Sequence, residues 1–577
     1  MDGDRTTVSA AASPSQIETA LSELHDGAVR WVLLRAGPKA DVFESVRQSV
    51  YAQAKPWVAA AAKAKGVEGT PLAGEEWISG PWAVLYALNR YIRTLREISR
   101  DGVPSIPLDR VHTRPDGQVV VDVFPVGRYD KLLLSGVRAE VWMQPEISRS
   151  GLFDTVAMLY RQSVPPRIAL VLGAGNIAAI PVLDVLYKLI ADGTVCVLKL
   201  NPVNEYLGPI FERALKPLLD GGYLRFVYGG SDVGKVLCAH PMVHEIHITG
   251  SDRTHDAIVF GDRSDSAERK RRNDPVLQKP ITSELGNVSP TIVVPGAWSD
   301  ADFRFQAEQI VTQKMHNDGF NCIASQVVVM PQDWDGAPKL IEQIENVMRE
   351  VRNRPAYYPG AADRCAALAQ GHQAERYGKS DDGYTPRTIV RVDANSDDPV
   401  FGTEAFSSIL AITTLPGDTA TFLRNATAFA NDRLWGTLGA NLVVHPLTLQ
   451  SNAADMDAAI AGLRYGCVAV NAWTGVGFLL TETTWGAFPG DALNDVRSGI
   501  GVVHNSYLFD RAQKTVVYAP FAPFPRSLRG YGKTLLPKPP WFVTNRMADR
   551  IGAALVDFEM HQTPLAAAKV ALLAMLG

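Results

Sequence analysis

The sequence is poor in cysteine, lacks long apolar runs and has no excess of charge of one sign. Its 577 residues include five cysteines, which are widely spaced and form no Cys-x-x-Cys pair. Cysteines in this arrangement indicate neither a disulfide framework nor a metal site, and they are typical of a reducing compartment. The formal net charge of -4 gives no reason to expect a nucleic-acid partner.

Signals for export and for membrane insertion are missing as well. The first residues, MDGDRTTVSAAASPSQ, place acidic side chains before any apolar core, which is unlike a signal peptide. No window approaches the roughly 18 uninterrupted apolar residues that a membrane helix requires. We therefore expect a cytoplasmic protein without membrane contact.

The composition is that of an ordinary globular protein, with 46% hydrophobic and 20% charged residues. Apolar residues recur at intervals of three and four near the N-terminus and at intervals of two around the turn Asp116-Gly117. From residue 167 onward single helices alternate with strands, which indicates right-handed crossovers and a parallel sheet. We predict an α/β protein with five parts: a helical N-terminal part (1–110), a strand-rich bridging element (111–150), a Rossmann-like domain (151–284), a second α/β domain (285–490), and a C-terminal bridging segment with a helical tail (491–577).

One apolar run, RIALVLGAGNIAAIPVL, contains the pattern G-x-G-x-x-A of a dinucleotide-binding fingerprint. A Rossmann fingerprint has an acidic residue about 20 positions later, at the end of the second strand. Here the second strand, TVCVLKLNP, ends in Lys199 and Asn201, and no carboxylate occurs until Glu205. Because this partner is missing, a pyrophosphate loop is a poor interpretation of the glycine-rich segment.

Four further motifs follow in order: ITGS (248–251), ITSELGNVSP (281–290), HNDGFNCIASQVVV (316–329) and FGTEAFSSIL (401–410). Their order and spacing resemble the aldehyde dehydrogenase superfamily. In that superfamily a T-G-S turn is followed by E-L-G-x-x-S-P, G-x-x-C and E-x-F segments. The resemblance covers residues 165–515 and implies a cofactor-binding domain followed by a catalytic domain with a nucleophilic cysteine.

The resemblance implies three catalytic residues. Cys322 would attack the aldehyde carbonyl, and the Asn176 amide together with the backbone N–H of Cys322 would stabilise the oxyanion. Glu284 would activate water against the thioester, and an apolar pocket would raise its pKa toward working pH. The remaining cysteines are interpreted as small buried hydrophobic residues: Cys196, Cys238, Cys365 and Cys467.

The resemblance also implies a dinucleotide site. Lys199 would bind the adenosine ribose, while Gly250 and Ser251, at a helix N-terminus, would contact the pyrophosphate. Glu404 would bind the nicotinamide ribose, and Phe406 would pack beside it. The glycine-rich segment would then serve the substrate carbonyl through Asn176.

The chain departs from the superfamily pattern in several places. An acidic residue that often grips the adenosine 2'-hydroxyl is replaced by Pro202, so both NAD and NADP remain open as cofactors. A position often occupied by glycine is His255. The segment usually written E-I-F-G-P is here Glu404 to Ser408, EAFSS.

We predict NAD(P)-dependent oxidation of an aldehyde to a carboxylic acid. One alternative is a CoA-acylating aldehyde dehydrogenase or acyl-CoA reductase, because NPVNE and NCIAS faintly resemble motifs of that branch. Glu284 argues against it, since a base that activates water would waste the thioester. The other alternative, a catalytically silent scaffold, would be expected to lack Cys322 or Glu284.

Two segments have no role in this interpretation. GDRSDSAERKRRNDP (261–275) is expected to be a solvated surface insertion, and the alternative is a basic patch that contacts a phosphate group. The final segment PLAAAKVALLAML is apolar on several faces and too short to span a bilayer. We expect it to be buried against the protein's own body or a second subunit, and we predict a homodimer or larger homo-oligomer. The tail would contribute to the interface or cover the substrate entrance.

Overall fold

A computed structural model describes residues 11–381, 383–528 and 533–577. The predicted α/β class is confirmed, because the described residues form two large, mainly parallel sheets with helices around them. The strands are β1 (Val111–Thr113), β2 (Val119–Phe124), β3 (Arg138–Met143), β4 (Ile168–Leu172), β5 (Val195–Lys199), β6 (Leu224–Val227), β7 (Glu245–Thr249), β8 (Ile281–Glu284), β9 (Ser289–Val293), β10 (Ser325–Pro331), β11 (Glu375–Tyr377), β12 (Arg387–Arg391), β13 (Ile409–Leu415), β14 (Gly439–Val443), β15 (Cys467–Val470), β16 (Thr484–Gly486), β17 (Gly499–Ile500), β18 (Val502–His504) and β19 (Ala512–Tyr518).

The helices include the predicted N-terminal group and the predicted helical tail. They are α1 (Pro14–Leu33), α2 (Ala36–Ala64), α3 (Gly74–Trp77), α4 (Ala83–Asp101), α5 (Arg128–Leu133), α6 (Ile180–Tyr187), α7 (Gly208–Ala214), α8 (Lys216–Asp220), α9 (Ser231–Ala239), α10 (Asp252–Phe260), α11 (Ser266–Arg272), α12 (Asp300–Met315), α13 (Ala337–Glu350), α14 (Ala361–Ala369), α15 (Pro399–Gly402), α16 (Thr419–Asp432), α17 (Pro446–Ser451), α18 (Ala453–Gly462), α19 (Thr474–Leu479), α20 (Ala548–His561) and α21 (Pro564–Met575). Short π-helical segments at Ile78–Trp82 and Lys188–Asp192 adjoin α4 and α6.

The six-stranded sheet has the order β17-β8-β7-β4-β5-β6 and is Rossmann-like. The pairings among β4 to β8 are parallel, and β17 joins β8 antiparallel. Strands β4 and β5 read IALVL and VCVLK with nearly every side chain buried, as expected for strands covered on both faces. The chain crosses from one side of β4 to the other between β6 and β7, and such a switch point opens a crevice at the carboxyl ends of the strands.

The eleven-stranded sheet has the order β1-β2-β3-β19-β15-β14-β9-β10-β13-β12-β11. Its seven central strands, from β19 to β12, run parallel. The first three strands of the chain, β1 to β3, extend one edge antiparallel, with β3 pairing with β19. The strand-rich element therefore joins the second sheet within the same chain.

The N-terminal helices lie against the six-stranded sheet. Helix α1 begins with a capping box, in which the backbone N–H groups and side chains of Ser13 and Gln16 bond reciprocally. Near its other end the buried indole of Trp31 donates to the Leu189 carbonyl at 3.0 Å. Helices α2 and α4 pack along each other and enclose part of the same hydrophobic core.

The charged segment 261–275 contains helix α11, so it is more ordered than a surface loop. The basic side chains of this segment form ion pairs with nearby carboxylates, so little positive charge is left uncompensated. This favours the interpretation as a solvated surface. The pairs join Arg269 to Asp265 and Asp274, Lys270 to Asp256, and Arg271 and Arg272 to Glu268.

The final helix is only partly covered. Helix α21 packs on α20 through Ala567 and Val570. Leu565, Leu572 and Leu576 are 82%, 66% and 64% exposed. The expected burial against the protein's own body is therefore incomplete. Across the part of the chain that the structure describes, no helix is both long enough and apolar enough to cross a membrane.

A buried charge network joins the tail to the N-terminal helices. Arg90 on α4 bonds to Glu482 at 2.8 Å and to Asp130 at 3.0 Å, and it lies 3.7 Å from Glu559 on α20. The Asn89 amide also donates to Glu559 at 2.8 Å. One guanidinium thus compensates three carboxylates from distant parts of the chain.

Replacing Arg90 by methionine should lower the free energy of unfolding by about 3–5 kcal/mol, because buried carboxylates lose their counter-charge. Urea denaturation measures this change. The matched control is Arg96→Met on the same helix, whose pair with Asp41 is exposed, and which should cost no more than about 1 kcal/mol. Equal losses in the two variants would contradict the structural importance of the network.

Candidate active site

A cavity of about 840 Å³ is lined by residues at the carboxyl ends of strands in the six-stranded sheet and by segments that precede β10 and β13 of the eleven-stranded sheet. All eight residues that the sequence singled out contribute to its wall: Asn176, Lys199, Gly250, Ser251, Glu284, Cys322, Glu404 and Phe406. The structure thus brings the proposed catalytic and cofactor-binding groups into one cavity.

Cys322 follows a turn with unusual backbone geometry. Asn317, Asp318 and Gly319 all have left-handed conformations, with φ of 54°, 58° and 81°. A Cβ atom on Gly319 would lie 2.5 Å from the Ser407 carbonyl oxygen, so only glycine fits this close approach. The turn ends helix α12 and presents Cys322 to the cavity before β10 begins.

The Cys322 thiol donates a hydrogen bond to Glu284 Oε1 at 2.9 Å. Glu284 ends β8 and is buried, and burial raises its pKa to about 7 despite the opposing effect of the thiol hydrogen bond. The pKa of the Cys322 thiol is raised well above its usual value, first by burial and then by the charge of Glu284. A thiol and a carboxyl group with a near-neutral pKa therefore share one hydrogen bond.

Asn176 lies in the loop between β4 and α6 and is buried. Its side-chain Nδ2 donates to the Phe320 carbonyl at 2.8 Å, two residues before Cys322. An amide nitrogen carries two N–H donors. The second N–H on this nitrogen is the kind of donor that an oxyanion beside Cys322 would need.

The turn at residues 249–251 and the end of β5 also line the cavity. Ser251 caps helix α10 by accepting a hydrogen bond from the Thr254 N–H, and the Gly250 N–H donates to the Glu284 carbonyl. Lys199 ends β5, and burial lowers the pKa of its ammonium group. A helix N-terminus and an ammonium group together suit a phosphate-bearing ligand.

Glu404 and Phe406 form a further wall. The Glu404 carboxylate accepts a hydrogen bond from the Asn287 N–H at 3.3 Å, and burial raises its pKa to about 8. A Cβ atom on Gly286 would lie 2.1 Å from this carboxylate, so a side chain at this position would displace Glu404. Phe406 has a left-handed backbone with φ of 41°.

Sequence reasoning missed two groups that support these residues. Arg364 on α14 donates to the Ala405 and Phe406 carbonyls at 3.0 Å each and so holds the left-handed segment. Buried Asp184 on α6 accepts a hydrogen bond from Thr249 at 3.0 Å, beside the strand position of Glu284. Both supports lie outside every recognised motif, and only their three-dimensional neighbours reveal them.

The aldehyde dehydrogenase family matches residues 168–478, which is more than half of the chain. The chain therefore belongs to the aldehyde dehydrogenase family, and the resemblance inferred from the motif order is confirmed.

Relatives are distant in sequence. A putative aldehyde dehydrogenase, FUS7, of Gibberella fujikuroi is 26% identical over 32% of this chain and 39% of its own length. Aldehyde dehydrogenase family 3 member A2 of Rattus norvegicus is 23% identical over 50% of this chain and 56% of its own length. The matched region thus spans from two-fifths to little more than half of these relatives.

The fold extends further than the sequence match. Aldehyde dehydrogenase C from Pseudomonas syringae, solved as a variant with NAD+ and octanal, aligns with a TM-score of 0.58 at 17% identity. The alignment covers 89% of this chain and 90% of that chain. The likeness shows a shared fold over most of the chain.

Replacing Glu284 by glutamine should increase the alkylation rate of Cys322 by neutral iodoacetamide, because loss of the carboxylate charge lowers the thiol pKa. The gain at pH 7 is about tenfold for each pKa unit removed. In both proteins the rate should rise with pH, since the thiolate is the reactive form. Peptide mass spectrometry measures the rate of alkylation. Cys238, which lines the same cavity, is the internal control. Slower alkylation in the variant would instead mean that Glu284 accepts the thiol proton.

Proposed function

We propose that the protein oxidises an aldehyde to a carboxylic acid through a thioester on Cys322, with NAD or NADP as the cofactor. The observation that carries the proposal is the 2.9 Å contact between the Cys322 thiol and Glu284, which lies in the cavity with every predicted cofactor-binding residue. The bound cofactor would supply the acceptor for the hydride that leaves the aldehyde carbon.

The residues present fit a dinucleotide. The N-terminus of α10 with Gly250 and Ser251 offers backbone donors to a pyrophosphate, and the Lys199 ammonium and the Glu404 carboxylate offer partners for the two riboses. Pro202 lines the cavity near Lys199 and brings no carboxylate that would repel a 2'-phosphate. NAD and NADP both remain consistent with this wall.

Cys322 would act first. Its Sγ bonds to the aldehyde carbon as the thiol proton passes to solvent, and the carbonyl oxygen gains negative charge. Asn176 Nδ2 and the Cys322 backbone N–H would donate to this oxyanion, a form of stabilisation that typically contributes 10²–10³-fold in rate per donor. The carbon that loses hydride becomes the carbonyl carbon of the thioester.

Glu284 would act second. Its carboxylate takes a proton from a water molecule, whose oxygen attacks the thioester carbon. The C–S bond then breaks, the acid leaves, and Cys322 takes back the proton that Glu284 accepted from the water. A base with a pKa of about 7 is well matched to this transfer near neutral pH.

The CoA-acylating alternative would need a thioester that survives until a thiol arrives. The position of Glu284 against Cys322 supports hydrolysis instead, because the base lies beside the acylated sulfur. A catalytically silent scaffold would not need the hydrogen bond between Cys322 and Glu284, so this contact also argues against the scaffold alternative.

Purified protein should reduce NAD or NADP when an aldehyde from a panel is added, and CoA should not increase the rate.

Cys322→Ala should retain less than a few per cent of the activity with nearly unchanged cofactor affinity, because the thiol is needed only for the adduct. Cys238→Ala is the matched control, since it changes a cavity thiol that the reaction does not use. Absorbance at 340 nm and chromatography of the products follow the reaction. Accumulation of acyl-CoA would favour the alternative, and full activity of Cys322→Ala would reject the nucleophile.

We further propose a cytoplasmic homo-oligomer, most simply a dimer. All five cysteines are free, which fits a reducing compartment. A second copy of this chain would cover the exposed leucines of α21, since exposed apolar clusters commonly mark protein interfaces.

Ending the chain at Gln562 should remove the interface and leave α20 in place, so light scattering should show a smaller particle with an intact fold by circular dichroism. Leu565→Ser combined with Leu572→Ser on the full chain should have the same effect, because both side chains are exposed and their replacement leaves the core unchanged. An unchanged mass in both variants would show that α21 does not mediate association.

A further inference from the structure

The backbone carbonyl of Asn176 is held by three side chains. Lys65 Nζ donates to it at 3.0 Å, Asn317 Nδ2 at 3.1 Å and the Tyr357 hydroxyl at 2.9 Å. A carbonyl oxygen offers two lone pairs, so this acceptor is fully used. The loop that carries the Asn176 amide is therefore fixed from behind.

Lys65 is the charged member of this group and comes from the end of α2. It is buried, and its ammonium also contacts Asn317 Oδ1 at 3.2 Å and Glu76 at 2.8 Å. The three donors of the ammonium thus meet three acceptors, and Glu76 supplies the counter-charge. A buried ammonium is stable only with such partners.

Asn317 connects Lys65 to the nucleophile. It belongs to the left-handed turn before Cys322, and its Nδ2 also donates to the Phe320 carbonyl at 3.0 Å. Phe320 O is the same acceptor that the Asn176 side chain uses. One ammonium group therefore contacts both the loop of the proposed oxyanion donor and the turn of the proposed nucleophile.

The neighbouring acid strengthens the same turn. Glu75 accepts a hydrogen bond from the Asn317 N–H at 3.0 Å, and Arg354 pairs with Glu75 at 2.6 Å while also donating to the Met315 carbonyl. Left-handed conformations are unfavourable for residues other than glycine and persist only where the surroundings hold them. The surrounding contacts are what keep the turn in this form.

We propose that Lys65 is a positioning residue for the reaction: it fixes the separation between the Asn176 amide and Cys322 Sγ, so that the amide faces the oxyanion. The inference rests on the proposed function. Lys65, Glu75 and Glu76 precede residue 168, so the N-terminal helices supply this part of the site from outside the region that matches the family.

The central variant is Lys65→Met, with Lys63→Met on the same helix as the matched control, because Lys63 is exposed. A displaced catalytic group typically costs on the order of 10²-fold in rate. We expect kcat of Lys65→Met to fall about 10²-fold, with the cofactor dissociation constant nearly unchanged and Lys63→Met close to wild type. Lys65→Met combined with Glu76→Gln, which removes both charges, keeps the test valid if the single variant folds poorly.

A double-mutant cycle separates positioning from general stability. In the background of Asn176→Ala, the Lys65 substitution should reduce kcat by less than about threefold, because the amide that it positions is already gone. Full additivity of the two losses would overturn the proposal, since a merely structural defect acts whether or not the amide is present.

Hydrogen exchange gives a readout that does not depend on turnover. Peptides that contain residues 173–178 and 316–322 should exchange faster in the Lys65 variants than in wild type and Lys63→Met. Unchanged exchange together with unchanged kcat would reject the positioning role. Absence of turnover in wild type with every aldehyde, while exchange changes as expected, would instead reject the proposed function and leave the contact itself established.

Discussion

The contact between the Cys322 thiol and Glu284 is the constraint on which the site depends. Glu284 ends a strand of the six-stranded sheet, whereas Cys322 precedes a strand of the eleven-stranded sheet. The 2.9 Å hydrogen bond between them therefore joins segments that belong to different sheets. The left-handed turn before Cys322 ends helix α12 and presents the thiol to this contact.

Burial is the main cause of the raised pKa values of the carboxyl groups in this cavity. Glu284 and Glu404 are carboxyl groups with pKa values of about 7 and 8, in each case chiefly because water is excluded. Their protons are therefore exchangeable near neutral pH. A cavity wall of this kind exchanges protons with a reacting group more readily than an exposed carboxylate, which stays ionised.

Sequence reasoning succeeded where a local pattern has one physical meaning. Apolar strands such as IALVL and four motifs in fixed order predicted the α/β class, the family and the residues that line one cavity. It could not find Lys65 or Glu75, because their contacts depend on how α2 and α3 dock against a loop far along the chain. For α21 the apolar composition was visible, but periodicity does not say which face a neighbour covers.

The order of strands in the larger sheet has a consequence for biosynthesis. Strands β1 to β3 enter that sheet only through β19, which is formed by Ala512–Tyr518 near the C-terminus. Pairings between residues so distant in sequence form slowly, since loop closure must precede them. While the ribosome is still translating, the early strands form a meander whose outer edge at β3 is open. The sheet closes only when nearly the whole polypeptide has emerged, so a prematurely terminated chain exposes that edge to aggregation.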